Sequence, residues 1–233
     1  MHASALVHQN VPTLPLGGLE FMIQLAQSVH HQIIDEKLAL SIMAKHLFPN
    51  DSTDFAVCTY STCLECKLQI KNQAVHMSMV HVKVSEKLSL QAALDQYFGN
   101  RPLQDYVCLN PGCLHFKQDS PTEDVQETFT VKATSRQSLV HPPKLLLIHV
   151  STPDKSSNQQ EVGIIPPLNW KLRLGREYKI TSLILRDKAE YYSILPRFDE
   201  NKFIMTRKEG VTELKNVSDA LQKEIALFVC EAS

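Results

Sequence analysis

Glycine is scarce in this chain: 7 of 233 residues, under half the usual ~7%. Neither GxGxxG nor GxxxxGK[ST] occurs, so the glycine-rich cradles that seat phosphates are excluded. Long apolar runs are also missing. None approaches the ~20 residues that cross a bilayer as a helix. The first residues, MHASALVHQNVPTLPLGG, carry neither a basic n-region nor an apolar core, and so no secretory signal. The expectation is an intracellular protein, cytoplasmic or nuclear, with reduced thiols and no membrane partner. There is no excess charge of either sign: 24 Lys+Arg stand against 25 Asp+Glu. A field able to neutralise a phosphate backbone is therefore lacking, which argues against nucleic acid. Histidine stops early, because all ten precede Val150. No GxSxG and no HExxH is present, so a serine-hydrolase elbow and a zincin helix have no support.

Enough apolar sequence remains for a core. At 43% hydrophobic and 21% charged residues the chain reads as globular, and its length suits one large domain or two small ones. Residues 19–48 predict helices. Leu19, Met22, Ala26, Val29 and Ile33 recur at three-to-four spacing, and Leu38, Ile42, Met43 and Leu47 follow. Strands are expected at FAVCTY (55–60), KLQIK (67–71) and VHMSMVHVKV (75–84). A short helix over SLQAALDQYF (89–98) comes next, closed by Gly99. After a polar linker, KQDSPTED (117–124), strands dominate: ETFTVKA (127–133), KLLLIHV (144–150), YKITSLIL (178–185), YYSIL (191–195), KFIM (202–205) and EIALFV (224–229). STPDKSSNQQE (151–161) reads as a solvated loop. Helices followed by strands give an α+β class with segregated elements.

The cysteines carry the most specific signal. Five of the six lie between residues 58 and 113. Cys63 and Cys66 form a CxxC; Cys108 and Cys113 form a wider CxxxxC around Asn-Pro-Gly. Two short-spaced pairs some 40 residues apart suit a zinc ribbon, each pair on a tight turn and the two turns closing a tetrahedral four-sulfur site. Pro111 and Gly112 are expected to bend the second turn. The other reading is a set of ordinary reduced cysteines, and Cys58 remains an alternative ligand to Cys63. Cys230, in an apolar run, reads as core.

A co-linear set of segments resembles the ubiquitin-specific proteases, the papain-like cysteine deubiquitinases. LEFMIQLAQSVH (19–30) resembles the family's Glu-Phe helix. LFPNDSTDFAVCTYSTCLEC (47–66) and LSLQAALDQYFGNRPLQDYVCLNPGC (88–113) resemble the fingers with their two zinc pairs. PPKLLLIHV (142–150) resembles a palm strand. EYKITSLIL and AEYYSIL (177–195) resemble the strands flanking the catalytic histidine. FIMTRKEGVTEL (203–214) and IALFVCEA (225–232) resemble the closing segments. The resemblance implies a papain-like cysteine peptidase fold with fingers and palm retained and the thumb largely missing. Residues 1–51 would be a thumb remnant, 52–120 the fingers and 121–233 the palm. It also implies a structural zinc on Cys63, Cys66, Cys108 and Cys113.

The departures from the family concern its triad. The Gly-Asn-Thr-Cys-Tyr box that carries the nucleophile has no counterpart, and no cysteine precedes Cys58. The Gly-His-Tyr of the catalytic histidine reads Ala189-Glu190-Tyr191, and the orienting Asp or Asn falls at Arg207 and Lys208. A carboxylate cannot act as the imidazolium that stabilises a thiolate, and it raises a nearby thiol's pKa. Arg or Lys cannot accept a histidine N–H. The expectation is a catalytically inactive relative that holds ubiquitin or another protein partner. Two readings stay open beside it. One is an active or fragmentary deubiquitinase drawing on Cys58, Cys230, His141 and His149; the other is a relic that binds no ubiquitin.

Overall fold

The computed structural model describes residues 50–84, 87–104, 106–113, 132–152, 163–167, 169–187, 190–197, 202–207, 210–214 and 224–233. The helices expected over 19–48, the linker at 117–124 and most of ETFTVKA and of the 151–161 loop lie outside them. The described residues are mostly β. Their helices are the single turn α1 (Asn50–Thr53) and the longer α2 (Leu90–Phe98).

Eight strands form the larger sheet. Its path runs β14 (Gly210–Leu214), β13 (Lys202–Arg207), β12 (Glu190–Arg197), β11 (Arg176–Asp187), β15 (Glu224–Ala232), β8 (Leu145–Ser151) and β4 (Val80–Lys83), with β10 (Lys171–Leu174) also on β11. Every pairing is antiparallel except β4 on β8. The middle of this sheet was legible because its strands are apolar without alternation. Past the exposed Lys144 the KLLLIHV run turns no polar residue to water, and Leu146 to Val150 are all buried. One face builds the main core from Val80, Val82, Leu146, Ile148, Ile180, Phe228 and Cys230. Leu147, Leu227 and Val229, on the other face, are buried as well.

The second sheet is built on β1 (Phe55–Cys63). It is flanked on one side by β2 (Gln69–Lys71) and β3 (Val75–Met77), and on the other by β7 (Ala133–Leu139) and then β6 (Arg101–Leu103). The Cys63 end of β1 pairs with Ala133 of β7. Strands from both sides of residue 120 enter both sheets. β4 lies in the larger sheet and β7 in the smaller.

A third, two-stranded parallel pair joins β5 (Lys87–Ser89) to β9 (Gly163–Ile165). α2 follows β5. The Ser89 hydroxyl caps it by accepting from the Ala92 N–H at 3.1 Å, and Leu90, Ala93 and Leu94 make its buried face. Gly99 closes it for a steric reason. Its φ is ordinary, but a Cβ there would sit 2.6 Å from the Asp95 carbonyl oxygen.

Candidate metal centre

β1 delivers Cys63 to its last position, and the chain turns at once. The Lys67 N–H donates to the Cys63 carbonyl at 3.1 Å, and the Cys63 N–H donates to the Leu68 carbonyl at 3.0 Å. Lys67 sits at φ +60°, the left-handed geometry that reverses the strand. Its ammonium donates to the Leu64 carbonyl at 2.6 Å, which ties down this turn.

Asn110 organises the second turn. Its carbonyl accepts from the Cys113 N–H at 3.0 Å and its side-chain oxygen from the Gly112 N–H at 3.1 Å. Its own N–H donates to Cys108 Sγ at 3.4 Å. Pro111 supplies the fixed φ of the second turn position. Gly112 has no positive φ, and a Cβ on it would meet nothing closer than 3.7 Å, so the bend does not need glycine there. Asn110 was missed in the sequence, although Asn before Pro-Gly is the signature of a side chain that caps its own turn.

The two turns face each other. Cys63 Sγ lies 3.7 Å from Cys113 Sγ, and Cys66 Sγ lies 3.5 Å from Cys108 Sγ. All four sulfurs fall within 4.8 Å of one another, so the four cysteines can hold a metal ion. A tetrahedron with metal–sulfur bonds of ~2.3 Å has sulfur–sulfur edges of about 3.8 Å, close to the two short separations. The donor set is wholly thiolate and mostly buried, which suits zinc and leaves no open position for catalysis. Cys58 does not join it. That thiol is buried opposite Ser138, five residues back along β1.

The thiols are unequal. A hydrogen bond from the Leu68 backbone brings Cys66 down to about 6 against the opposing effect of burial, with help from Asn110. Burial carries Cys108 up to about 12, only partly relieved by the Asn110 backbone. Tyr106 packs against this cluster together with Leu68.

Of the other expected site residues, Glu190, Arg207, His149 and Cys230 lie in strands of the larger sheet. Glu190 opens β12 opposite Asp187, and Arg207 ends β13 opposite Gly210. Because Ser193 faces Thr206, Glu190 and Arg207 stand at the same end of neighbouring strands. Lys208 lies outside the described residues. His141 is exposed. His149 is buried on β8, its Nδ1 3.3 Å from Nδ1 of His81 on β4. Leu227 pairs with His149 and Cys230 with Leu146, which puts Cys230 and His149 on opposite faces of the sheet. Burial also pushes the Cys230 thiol strongly up. No helix among the described residues is long and apolar enough to cross a membrane.

Against solved structures, the chain aligns with the SAGA DUB module Ubp8/Sgf11/Sus1/Sgf73 bound to ubiquitin aldehyde at TM-score 0.62 and 11% identity, over 93% of this chain and 54% of that one. The fold is ubiquitin-specific-protease-like. The same module bound to monoubiquitin gives TM-score 0.60 and 11% identity, over 93% and 53%. The yeast module with an altered Sgf73 gives 0.56 and 12%, over 90% and 48%. This chain spans about half the length of those it matches, and at such identities the likeness is one of fold. No family model matches the sequence. No curated protein matches it either.

Proposed function

We propose that this chain is a catalytically inactive, ubiquitin-specific-protease-like domain that binds ubiquitin or a ubiquitin-system partner. In this reading the five-stranded sheet with its cysteine turns forms the fingers and the eight-stranded sheet the palm of a papain-like peptidase fold. One zinc ion bound by Cys63, Cys66, Cys108 and Cys113 is structural, and its binding is folding energy on the order of 10–16 kcal/mol in small zinc domains. The observation that carries the reading is the alignment of nine-tenths of the chain with deubiquitinase modules bound to ubiquitin and ubiquitin aldehyde.

Inactivity rests on the chemistry of the residues present. Glu190, Arg207 and Lys208 occupy the positions where the family resemblance calls for an imidazole and its hydrogen-bond acceptor. The thiols outside the cluster, Cys58 and Cys230, are fully buried. The Cys230 thiol is held protonated and faces away from His149, so no thiolate–imidazolium pair forms there. Titration of labelled ubiquitin with the zinc-loaded protein is expected to give saturable NMR shifts. Ubiquitin vinyl sulfone is expected to form no adduct, and a fluorogenic ubiquitin substrate to stay intact. A vinyl sulfone adduct on any cysteine would overturn the inactive assignment. Unchanged ubiquitin spectra at millimolar protein would overturn ubiquitin as the ligand.

A further inference from the structure

The four sulfurs of the metal centre are not equally reachable. Cys63, Cys108 and Cys113 are buried, and only Cys66 is partly open to solvent. Their short approaches also have a direction. One, at 3.5 Å, joins Cys66 of the first turn to Cys108 of the second; the other, at 3.7 Å, joins Cys63 to Cys113. Both cross from turn to turn, and neither runs inside the CxxC or the CxxxxC. A disulfide holds its sulfurs ~2.05 Å apart, so Cys66 and Cys108 have about 1.5 Å left to close. The reachable sulfur thus has a buried sulfur at its back. That is the arrangement in which an oxidised cysteine is captured by a resolving one.

We propose that the four-cysteine centre is a redox switch: a hydroperoxide oxidises Cys66 first, and the cross-turn disulfides Cys66–Cys108 and then Cys63–Cys113 take over the clasp from the metal. This exchange rests on the zinc reading above. In the first step the Cys66 thiolate attacks one peroxide oxygen. A sulfur–oxygen bond forms, the oxygen–oxygen bond breaks and hydroxide leaves; the sulfur gives up two electrons and the peroxide gains them. Cys108, as a thiolate, then attacks the Cys66 sulfenic sulfur. The sulfur–sulfur bond forms, the sulfur–oxygen bond breaks and a second hydroxide leaves. A second peroxide does the same for Cys63 and Cys113. Disulfide sulfurs have lost the thiolate charge that makes a metal ligand, so one closed pair leaves two donors and the ion departs. Because the two bridges span 42 and 50 residues, they keep the turns tied together. A bridge between Cys63 and Cys66 would let them part.

The test uses the whole chain loaded with zinc. One ion per chain is expected; no uptake would overturn the zinc reading and the exchange with it. Hydrogen peroxide is added, samples are quenched over time with N-ethylmaleimide, and cleavage after Glu65 and after Leu109 puts the four cysteines on separate peptides. The first product is expected to be the Cys66–Cys108 disulfide, formed in step with release of the ion to a chromophoric chelator, and Cys63–Cys113 is expected to follow. Free thiols fall from six to two, those of the buried Cys58 and Cys230. Dithiothreitol is expected to restore all six and the uptake of one ion. The doubly bridged, metal-free protein is expected to melt above the reduced metal-free protein, because both loops stay closed. Cys66→Ser, compared with wild type in the reduced, metal-free state, is expected to consume peroxide on the order of tenfold more slowly. The time course in wild type needs no variant to fold. The exchange fails, with the zinc reading left standing, if the ion is bound but the first disulfide lies within one turn. It fails equally if Cys66 runs on to sulfinic acid without a disulfide, or if peroxide leaves six thiols and the ion in place.

Discussion

Cys66 Sγ and Cys108 Sγ lie 3.5 Å apart, yet their protons are held in opposite ways. Backbone donation from Leu68 brings Cys66 down to about 6, while burial takes Cys108 up to about 12. Zinc displaces the thiol protons, so its affinity falls as pH falls. Cys66 has largely lost its own at neutral pH. Zinc binding at pH 7 is therefore expected to release fewer than four protons per ion. Calorimetry in buffers of different ionisation enthalpy measures that count, and a value of four would contradict the Cys66 assignment.

The same shifts act on the metal-free fold. Cys66 has a lower pKa folded than unfolded, so its contribution is present above the ordinary thiol value near 9 and is lost as pH falls through 6. Cys108 is shifted the other way. Its contribution is present below 9 and is lost as pH rises toward 12. The urea midpoint of the reduced apoprotein is expected to rise between pH 6 and 9 and to fall beyond it.

Cysteine substitutions should sort by place. Cys63→Ser or Cys108→Ser is expected to reduce bound zinc well below one ion per chain and to lower the melting temperature by roughly 10 °C. Cys58→Ala should retain full zinc, since that thiol faces Ser138 rather than the cluster. Metal analysis and calorimetry of the purified variants separate the two groups.

Gln91 reaches from α2 to the free edge of β10. Its side-chain amide donates to the Arg173 carbonyl at 3.0 Å and accepts from the Arg173 N–H at 2.9 Å, as a neighbouring strand would. Gln91→Ala leaves both backbone groups to water and is expected to cost about 1–2 kcal/mol in urea unfolding. Gln91→Glu keeps the acceptor but sets a carboxylate against the Arg173 carbonyl and against Asp95, to which the amide donates at 2.9 Å, so it should be no more stable than Gln91→Ala.

Two glycines predict opposite outcomes. Gly99→Ala pushes a methyl against the Asp95 carbonyl at 2.6 Å and is expected to destabilise by about 1–3 kcal/mol. Gly112→Ala meets only the Asn110 side chain at 3.7 Å and should stay within about 0.5 kcal/mol of wild type, with zinc retained. Loss of zinc in Gly112→Ala would show that the second turn needs its glycine after all.

Much of this could be read from the residues. The cysteine pairs announce their convergence because ligand spacing is a local property, and the apolar strands at KLLLIHV and EIALFV are marked by burial on both faces. β7 was hidden. ATSRQSL has no apolar alternation, and its strand state comes from seven residues paired to β1. β14 was hidden for the same reason: four of its five residues are exposed, and it takes its form from β13. The parallel pairing of β4 with β8, between residues 68 apart, has no local signal. Nor had Glu190 and Arg207 any mark of sharing one end of adjacent strands until Ser193 was seen opposite Thr206.

The exchange of strands between the sheets gives the cysteine clasp a mechanical reach. Cys63 and Cys113 are 50 residues apart, Cys66 and Cys108 are 42, and the loop they buckle carries β4, the outer strand of the other sheet. Opening the buckle lengthens the tether that holds β4 against β8. On loss of an ion from the tip of the small sheet, amide exchange is expected to quicken first at Val80–Lys83, the outermost strand on the path of the large one.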